Sequence, residues 1–336
     1  MSNHPGMSST RILLFAYLFS ELSISTIHLV VLRALHNAKR LCMKTFTIPV
    51  PAEFDFRLSL DFLKRSPREI LHRCEETSVT KLLKVGQDVV LFNVQQHDDD
   101  NLRVHVLNTK LTLSIKKTLE EYIRDWFDLD TDIKPFYALS AKDKYMKDLV
   151  EKYHGYRIVG QPDLFESIIW AVLGQQINLQ FAYTLKQRFV EHFGEKMIFS
   201  GVDYHLFPRP DVVSVLNDEV LLPLQFSRQK SKYVITISEA FASNEISKEK
   251  LAGLSLQDAK EKLMKIKGIG NWTANYALMK TFHYTDAFPL EDAGVHNAIK
   301  NLKRMKEKPT LDQVRTFYKK YRGWEAYATL YLWKSL

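Results

Sequence analysis

The chain has 336 residues, 46% of them hydrophobic, and a formal net charge of +8 with 20 Phe, 15 Tyr and 5 Trp. That length buries a sizeable core and divides into two or three domains, and the basic, aromatic-rich balance suits a nucleic-acid partner better than an acidic or neutral one. Two cysteines, Cys42 and Cys74, exclude a disulfide framework, a four-thiolate zinc site and a cysteine-held iron–sulfur cluster, and they point to a reducing, cytoplasmic compartment.

Residues 12–35 are largely apolar and resemble an imperfect membrane span or a signal segment. Glu21, near the middle, is costly in hydrocarbon, and no small-residue cleavage site stands out. MKTFTIPVP from Met43 looks like the start of a folded domain. Residues 1–42 are therefore expected to be an apolar extension outside the folded part, with a peripheral helix or a targeting segment as alternatives. They hold four basic residues and one acidic residue, so the remainder keeps a charge of +5.

From Phe46 onward, Phe46, Ile48 and Val50 alternate with period two. Val90, Phe92 and Val94 answer Leu102, Val104 and Val106 across the polar tip HDDDN, the pattern of an antiparallel hairpin. Leu60, Leu63, Ile70, Leu71, Leu82 and Leu83 suggest short helices, and a further strand is expected over 107–115. Residues 43–125 thus read as an α+β domain built on an antiparallel sheet. His72, His97 and His105 lack ligand spacing and read as surface or strand-face residues.

Beyond Lys116 helical periodicity takes over, with breaks at Pro135, Gly160, Pro162, Gly194, Pro208, Pro210, Pro223 and Gly253, so residues 126–336 are expected to be all-α. Within them, residues 260–280 carry two apolar-periodic segments joined by Gly268-Ile269-Gly270. So tight a turn needs glycine for positive φ and for close approach of another backbone. It leaves amides free beside the positive end of the next helix, an arrangement that suits a phosphate oxygen. Lysines 260, 262, 265, 267 and 280 are expected to surround the turn and add affinity without sequence preference. Twenty-two residues beyond Gly270 lies Asp292, just before a new helical run. Taken alone, it is a helix N-cap, just as Trp272 and Tyr276, four apart on one helical face, are core.

The pattern at Leu263, Ile266, Gly268, Ile269, Gly270, Thr273 and Ala274 resembles the helix-hairpin-helix motif of DNA repair proteins. Hairpin, loop and Asp292 together resemble the signature of the helix-hairpin-helix base-excision glycosylases. GIGNWTANYALM and the segment 171–194 are similar to the inducible DNA-3-methyladenine glycosylases in particular. The resemblance implies an α+β amino-terminal domain followed by a mostly helical glycosylase fold, with Asp292 as the catalytic carboxylate. It also implies a base pocket at Trp272 and Tyr276, DNA contacts from Gly268, Gly270, Thr273, Gln175 and Gln176, and Gln176 at the wedge position, where the family often has an apolar residue. Trp272 stands where strand-nicking members carry a nucleophilic lysine, and no cysteine follows Cys74 to hold the cluster of another branch. The expectation is a monomeric, monofunctional enzyme that needs neither cofactor nor metal, acts on alkylated purines in double-stranded DNA and has no membrane partner. Its alternatives are a noncatalytic helix-hairpin-helix DNA-binding protein and a glycosylase for another damaged base.

Overall fold

The computed structural model describes residues 44–336; the apolar stretch 12–35 lies outside the described residues. The chain enters on strand β1 (Thr45–Pro49), passes through helix α1 (Phe56–Leu63) and forms β2 (His72–Cys74), β3 (Ser78–Val85), β4 (Asp88–Asp98) and β5 (Asn101–Val106). These strands make one antiparallel sheet in the order β1-β5-β4-β3-β2. The expected hairpin is in place, with Val94 opposite Val104 and Phe92 opposite Val106. One sheet face is covered by α2 (Leu113–Phe127), whose Ile115, Leu119, Ile123 and Trp126 join Phe92, Val94, Leu102 and Val104 in a shared core.

Three local expectations are corrected here. Leu82 and Leu83 lie in β3, not a helix: both faces of that strand are largely covered, so its apolar run shows neither period cleanly. Ile70 and Leu71 lie outside any helix, just before β2. No strand forms over 107–115; instead the Thr112 hydroxyl accepts from the Ile115 amide at 3.1 Å and starts α2, a cap signal hidden beneath an accidental alternation. α2 then runs unbroken through residue 125.

The rest is helical except at one place. In order come α3 (Lys134–Ser140), α4 (Lys147–Lys152), α5 (Leu164–Gly174) and α6 (Leu179–Phe193), then strands β6 (Lys196–Phe199) and β7 (Val202–His205). The all-α expectation missed this hairpin. Ser200 and Gly201 both have positive φ, 50° and 78°, the two-residue turn that matches strand twist; the Ser-Gly pair was its signal. Then follow α7 (Pro210–Ser214), a 3-10 segment (Asp218–Leu224), α8 (Arg228–Ala242), α9 (Lys248–Leu251), α10 (Leu256–Met264) and α11 (Asn271–Phe282). The chain closes with α12 (Ala293–Leu302), α13 (Leu311–Tyr318) and α14 (Glu325–Lys334). Among the described residues no helix is long and apolar enough to cross a membrane.

Helix α11 is the axis of this half. Nine of its 12 residues are buried, as expected for a helix packed on all sides. Ala274, Ala277 and Leu278 join a core with α5, α8 and α10, while Met279 joins an aromatic core that includes Phe136, Tyr327 and Tyr331. A buried ion group fastens the α+β part to the helices: Lys186 on α6 reaches Glu69 at 2.9 Å and Glu166 on α5 at 3.4 Å, and the side chains of Lys186 and Glu69 are 6% and 7% exposed.

Candidate active site

Leu263, Ile266 and Ile269 are buried and hold α10 against α11. Between them Gly268 has φ +103°, and a Cβ there would lie 2.6 Å from Cγ of Tyr233 on α8. Glycine is thus required twice, by dihedral and by space. Gly270 is the N-cap of α11 and supplies no side-chain cap, so the first-turn amides of that helix stay open. Among the described residues, neither the Gly268 nor the Gly270 amide donates to a backbone carbonyl. Lys262, Lys265 and Lys267 are exposed and Lys260 is half-buried. Lys280 is not one of this set. It is 2% exposed, two turns along α11, with its Nζ 4.7 Å from the Phe62 ring centre.

α5 ends beside this turn. The Gln175 side-chain amide donates to the Gly268 carbonyl at 3.2 Å and to the buried Thr273 hydroxyl at 3.0 Å. Gln175 and Thr273 are therefore occupied inside the protein, tying the loop after α5 to the hairpin. Gln176, next in sequence, is exposed with φ +58°, and it shares a groove with Gly268, Gly270, Gln229 and Tyr233. Asn178 caps α6 by accepting from the Phe181 amide.

One turn into α11, Trp272 and Tyr276 are stacked, ring centres 5.3 Å apart and planes 21° apart. The Tyr276 hydroxyl accepts from the Trp170 indole at 3.0 Å. Burial is the largest influence on that phenol and pushes its pKa up. Trp170 packs on Tyr183 at 4.7 Å, and the Tyr183 hydroxyl accepts from Arg65.

Asp292 faces this stack. Its Oδ2 accepts from Trp272 Nε1 at 3.1 Å; its Oδ1 accepts from Trp333 Nε1 and from the Val295 amide, each at 2.8 Å. It is thus the N-cap of α12 and also a carboxylate presented beside two indoles. The loop that carries it is pinned from several sides. Asn275 on α11 accepts from the Phe288 amide at 3.0 Å, the Asp292 amide donates to the Pro289 carbonyl, and the His296 ring sits between the carbonyls of Leu290 and Pro309. Glu291 turns away to Asn271, and Asp286 is exposed.

Residues 63–168 match the N-terminal domain of 8-oxoguanine DNA glycosylase, and residues 169–322 match the HhH-GPD superfamily of base excision DNA repair proteins. The chain is 39% identical to the DNA-3-methyladenine glycosylase of Bacillus subtilis (strain 168) over 291 residues, covering 86% of this chain and 96% of that protein. The chain belongs to the helix-hairpin-helix DNA glycosylases, in the DNA-3-methyladenine glycosylase family. Solved structures share its fold. The 3-methyladenine DNA-glycosylase of Archaeoglobus fulgidus superposes with a TM-score of 0.74 at 20% identity, over 86% of this chain and 97% of that one. The 8-oxoguanine glycosylase/lyase of Clostridium acetobutylicum, in complex with double-stranded DNA, gives 0.67 at 19% identity, over 87% and 95%.

In this glycosylase the hairpin glycines and Gln176 line one groove, while the aromatic pair of α11 meets Asp292. Sequence reasoning missed Trp333, which lies 41 residues beyond Asp292 on another helix and carries no motif of its own. Trp333→Phe keeps a ring in that place but removes one donor to the carboxylate. Because a hydrogen bond to a charged group contributes about 1.5–3 kcal/mol, we expect this variant to release base about 10- to 100-fold more slowly in single turnover, with DNA affinity within about twofold of wild type. An unchanged rate would show that Trp333 does not orient Asp292.

Proposed function

We propose that this base-excision glycosylase is a monofunctional hydrolase of alkylated purines, 3-methyladenine and 7-methylguanine, and that it leaves an abasic site in duplex DNA. The observation that carries the reading is the Asp292 carboxylate, held by the Trp272 and Trp333 indoles beside the Trp272–Tyr276 stack. Methylation at N3 or N7 makes a purine cationic, and an electron-rich aromatic face attracts such a ring by about 0.5–2 kcal/mol. The target nucleotide leaves the stack to reach this site. Gln176 fills the space it vacates, and the amides of Gly268 and Gly270 hold a backbone phosphate.

As the bond from C1′ to the purine nitrogen breaks, its electron pair leaves with the base and positive charge develops on the sugar. The Asp292 carboxylate faces that charge, and a water oxygen then bonds C1′ as that water gives up a proton to solvent. Among the described residues, the donors to Asp292 are two indoles and a backbone amide; none is an amine able to attack the sugar as a Schiff-base lysine does.

A second reading, excision of 8-oxoguanine, draws on the match of residues 63–168 to that glycosylase's N-terminal domain. One assay separates the two: mass spectrometry of the bases freed from methylated and from oxidised duplex DNA, with strand integrity scored alongside. Free 3-methyladenine and 7-methylguanine, with strands intact until alkali is added, are expected. Release of 8-oxoguanine alone would favour the second reading, and nicking without alkali would overturn hydrolysis without lyase chemistry.

A further inference from the structure

The loop that carries Gln176 has a second fastening, made by a residue with no place in the hairpin motif. Lys230 lies in the first turn of α8 and is 9% exposed. Its ammonium donates to the carbonyls of Val172 at 3.1 Å, Leu173 at 3.0 Å and Gln175. A lysine has three donors, and here all three go to the carbonyl end of one helix, α5. Helices commonly close that end with a left-handed glycine; α5 has no glycine after it and instead places Gln176 at φ +58°. Burial draws the Lys230 ammonium down to about 8.

Gln175, the residue just before Gln176, is thus held from two directions. Lys230 holds the Gln175 carbonyl, while Gly268 and Thr273 hold the Gln175 side chain. We propose that Lys230 is a positioning residue for eversion of the damaged nucleotide: by closing the carbonyl end of α5 it fixes Gln176 at the rim of the groove shared with Gly268 and Gly270. The inference rests on the glycosylase reading above and concerns the opening of the duplex, not the chemistry at Asp292. A loop no longer fixed must be ordered each time a base is expelled, whereas a base that is already unpaired makes no such demand.

The test uses the full chain and an oligonucleotide with a single 7-methylguanine, presented either as duplex or as single strand. For Lys230→Met, single-turnover release from the duplex is expected to fall about 10- to 100-fold, with release from the single strand within about twofold of wild type. Lys230→Arg, which keeps a cation, is expected to recover most of the duplex rate. Fluorescence of a 2-aminopurine beside the lesion should report the same loss of unstacking. Parallel loss on both substrates, or an undiminished duplex rate in a folded Lys230→Met protein, would overturn the inference. If Lys230→Met does not fold, Lys230→Gln against Lys230→Arg gives the same comparison. Failure of the wild-type protein to release base from either substrate would instead overturn the glycosylase reading.

Discussion

Asp292→Asn is expected to retain the fold and the grip on DNA while losing base release by a factor on the order of 10²–10³ or more, the scale found when one electrostatic stabiliser of a transition state is removed. Asparagine ranks with aspartate as an N-cap, so its Oδ1 still accepts from the Val295 amide and from Trp333 Nε1. The amide nitrogen then stands where Oδ2 accepted from Trp272 Nε1, and two donors face each other. That mismatch costs about 1–3 kcal/mol, or a Tm lower by several degrees. The negative charge proposed to face the sugar is lost altogether. Binding to abasic-site DNA, measured by anisotropy, should change by less than about threefold because the hairpin amides are untouched. Undiminished release of 3-methyladenine by this variant would remove Asp292 from the mechanism.

The second large effect lies far from the chemistry. Lys186→Met is expected to destabilise the protein by about 3–5 kcal/mol, since breaking a buried ion group leaves its other members charged and unpaired. Glu69 shows the dependence. Burial opposes its charge, but Lys186, His72 and the Leu71 amide outweigh burial and hold its carboxyl at about 2. His72 goes the same way for a different reason: burial, reinforced by Lys81 and Lys186 and opposed by Glu69, lowers it to about 4.

Both signs point to acid sensitivity. A histidine depressed from 6.5 to about 4 binds its proton more readily in the unfolded chain, so stability falls as pH drops from about 6.5 to 4. A carboxyl depressed from 4.5 to about 2 stabilises the fold fully above about 4.5, and that contribution is lost as pH falls toward 2. Urea unfolding at pH 7.5, 5.5 and 4.5 should show a steady decline in the wild type. In Lys186→Met, burial of Glu69 is no longer opposed by the ammonium, so the carboxyl moves up and its part of the acid profile moves to higher pH. A variant within about 1 kcal/mol of wild type at pH 7.5 would show that the group contributes little.

What could be read from the sequence follows how far apart the cooperating residues lie. Gly268, Gly270, Trp272, Tyr276 and Asp292 fall within 25 residues, and each has a local reason for its identity: a positive φ, a helix start, a helical face, a cap. The β4–β5 hairpin was legible for the same reason, as alternation on both sides of a polar tip. Trp333 and Lys230 could not be read, because each acts on a backbone or carboxylate far away in sequence, across 41 and 55 residues. Lys186 and Glu69 lie 117 apart, and nothing local in the sequence pairs them. Residues 107–115 failed differently: nine residues of chance alternation outweighed one threonine at 112, although the capping bond decides where α2 begins. Gln175 was expected on DNA; its side-chain amide donates to the turn, and the half-buried residue lines the same groove as Gln176.

The geometry of the Trp272–Tyr276 pair has a consequence for how a purine would be received. Stacked contacts between carbon atoms need about 3.5 Å each, so a ring placed between two others requires a gap of about 7 Å. These ring centres are 5.3 Å apart. That leaves no room for a purine between them; one stacked on this pair would lie on its outside, as one more layer of a pile already assembled. The ordering of both side chains has then been done in advance, during folding, and little of the binding energy goes into arranging them. Such a receiver discriminates weakly by outline and more by the electronic character of the arriving ring. On these terms the proposed tolerance of several methylated purines would come from a rigid surface, not from a pliable one.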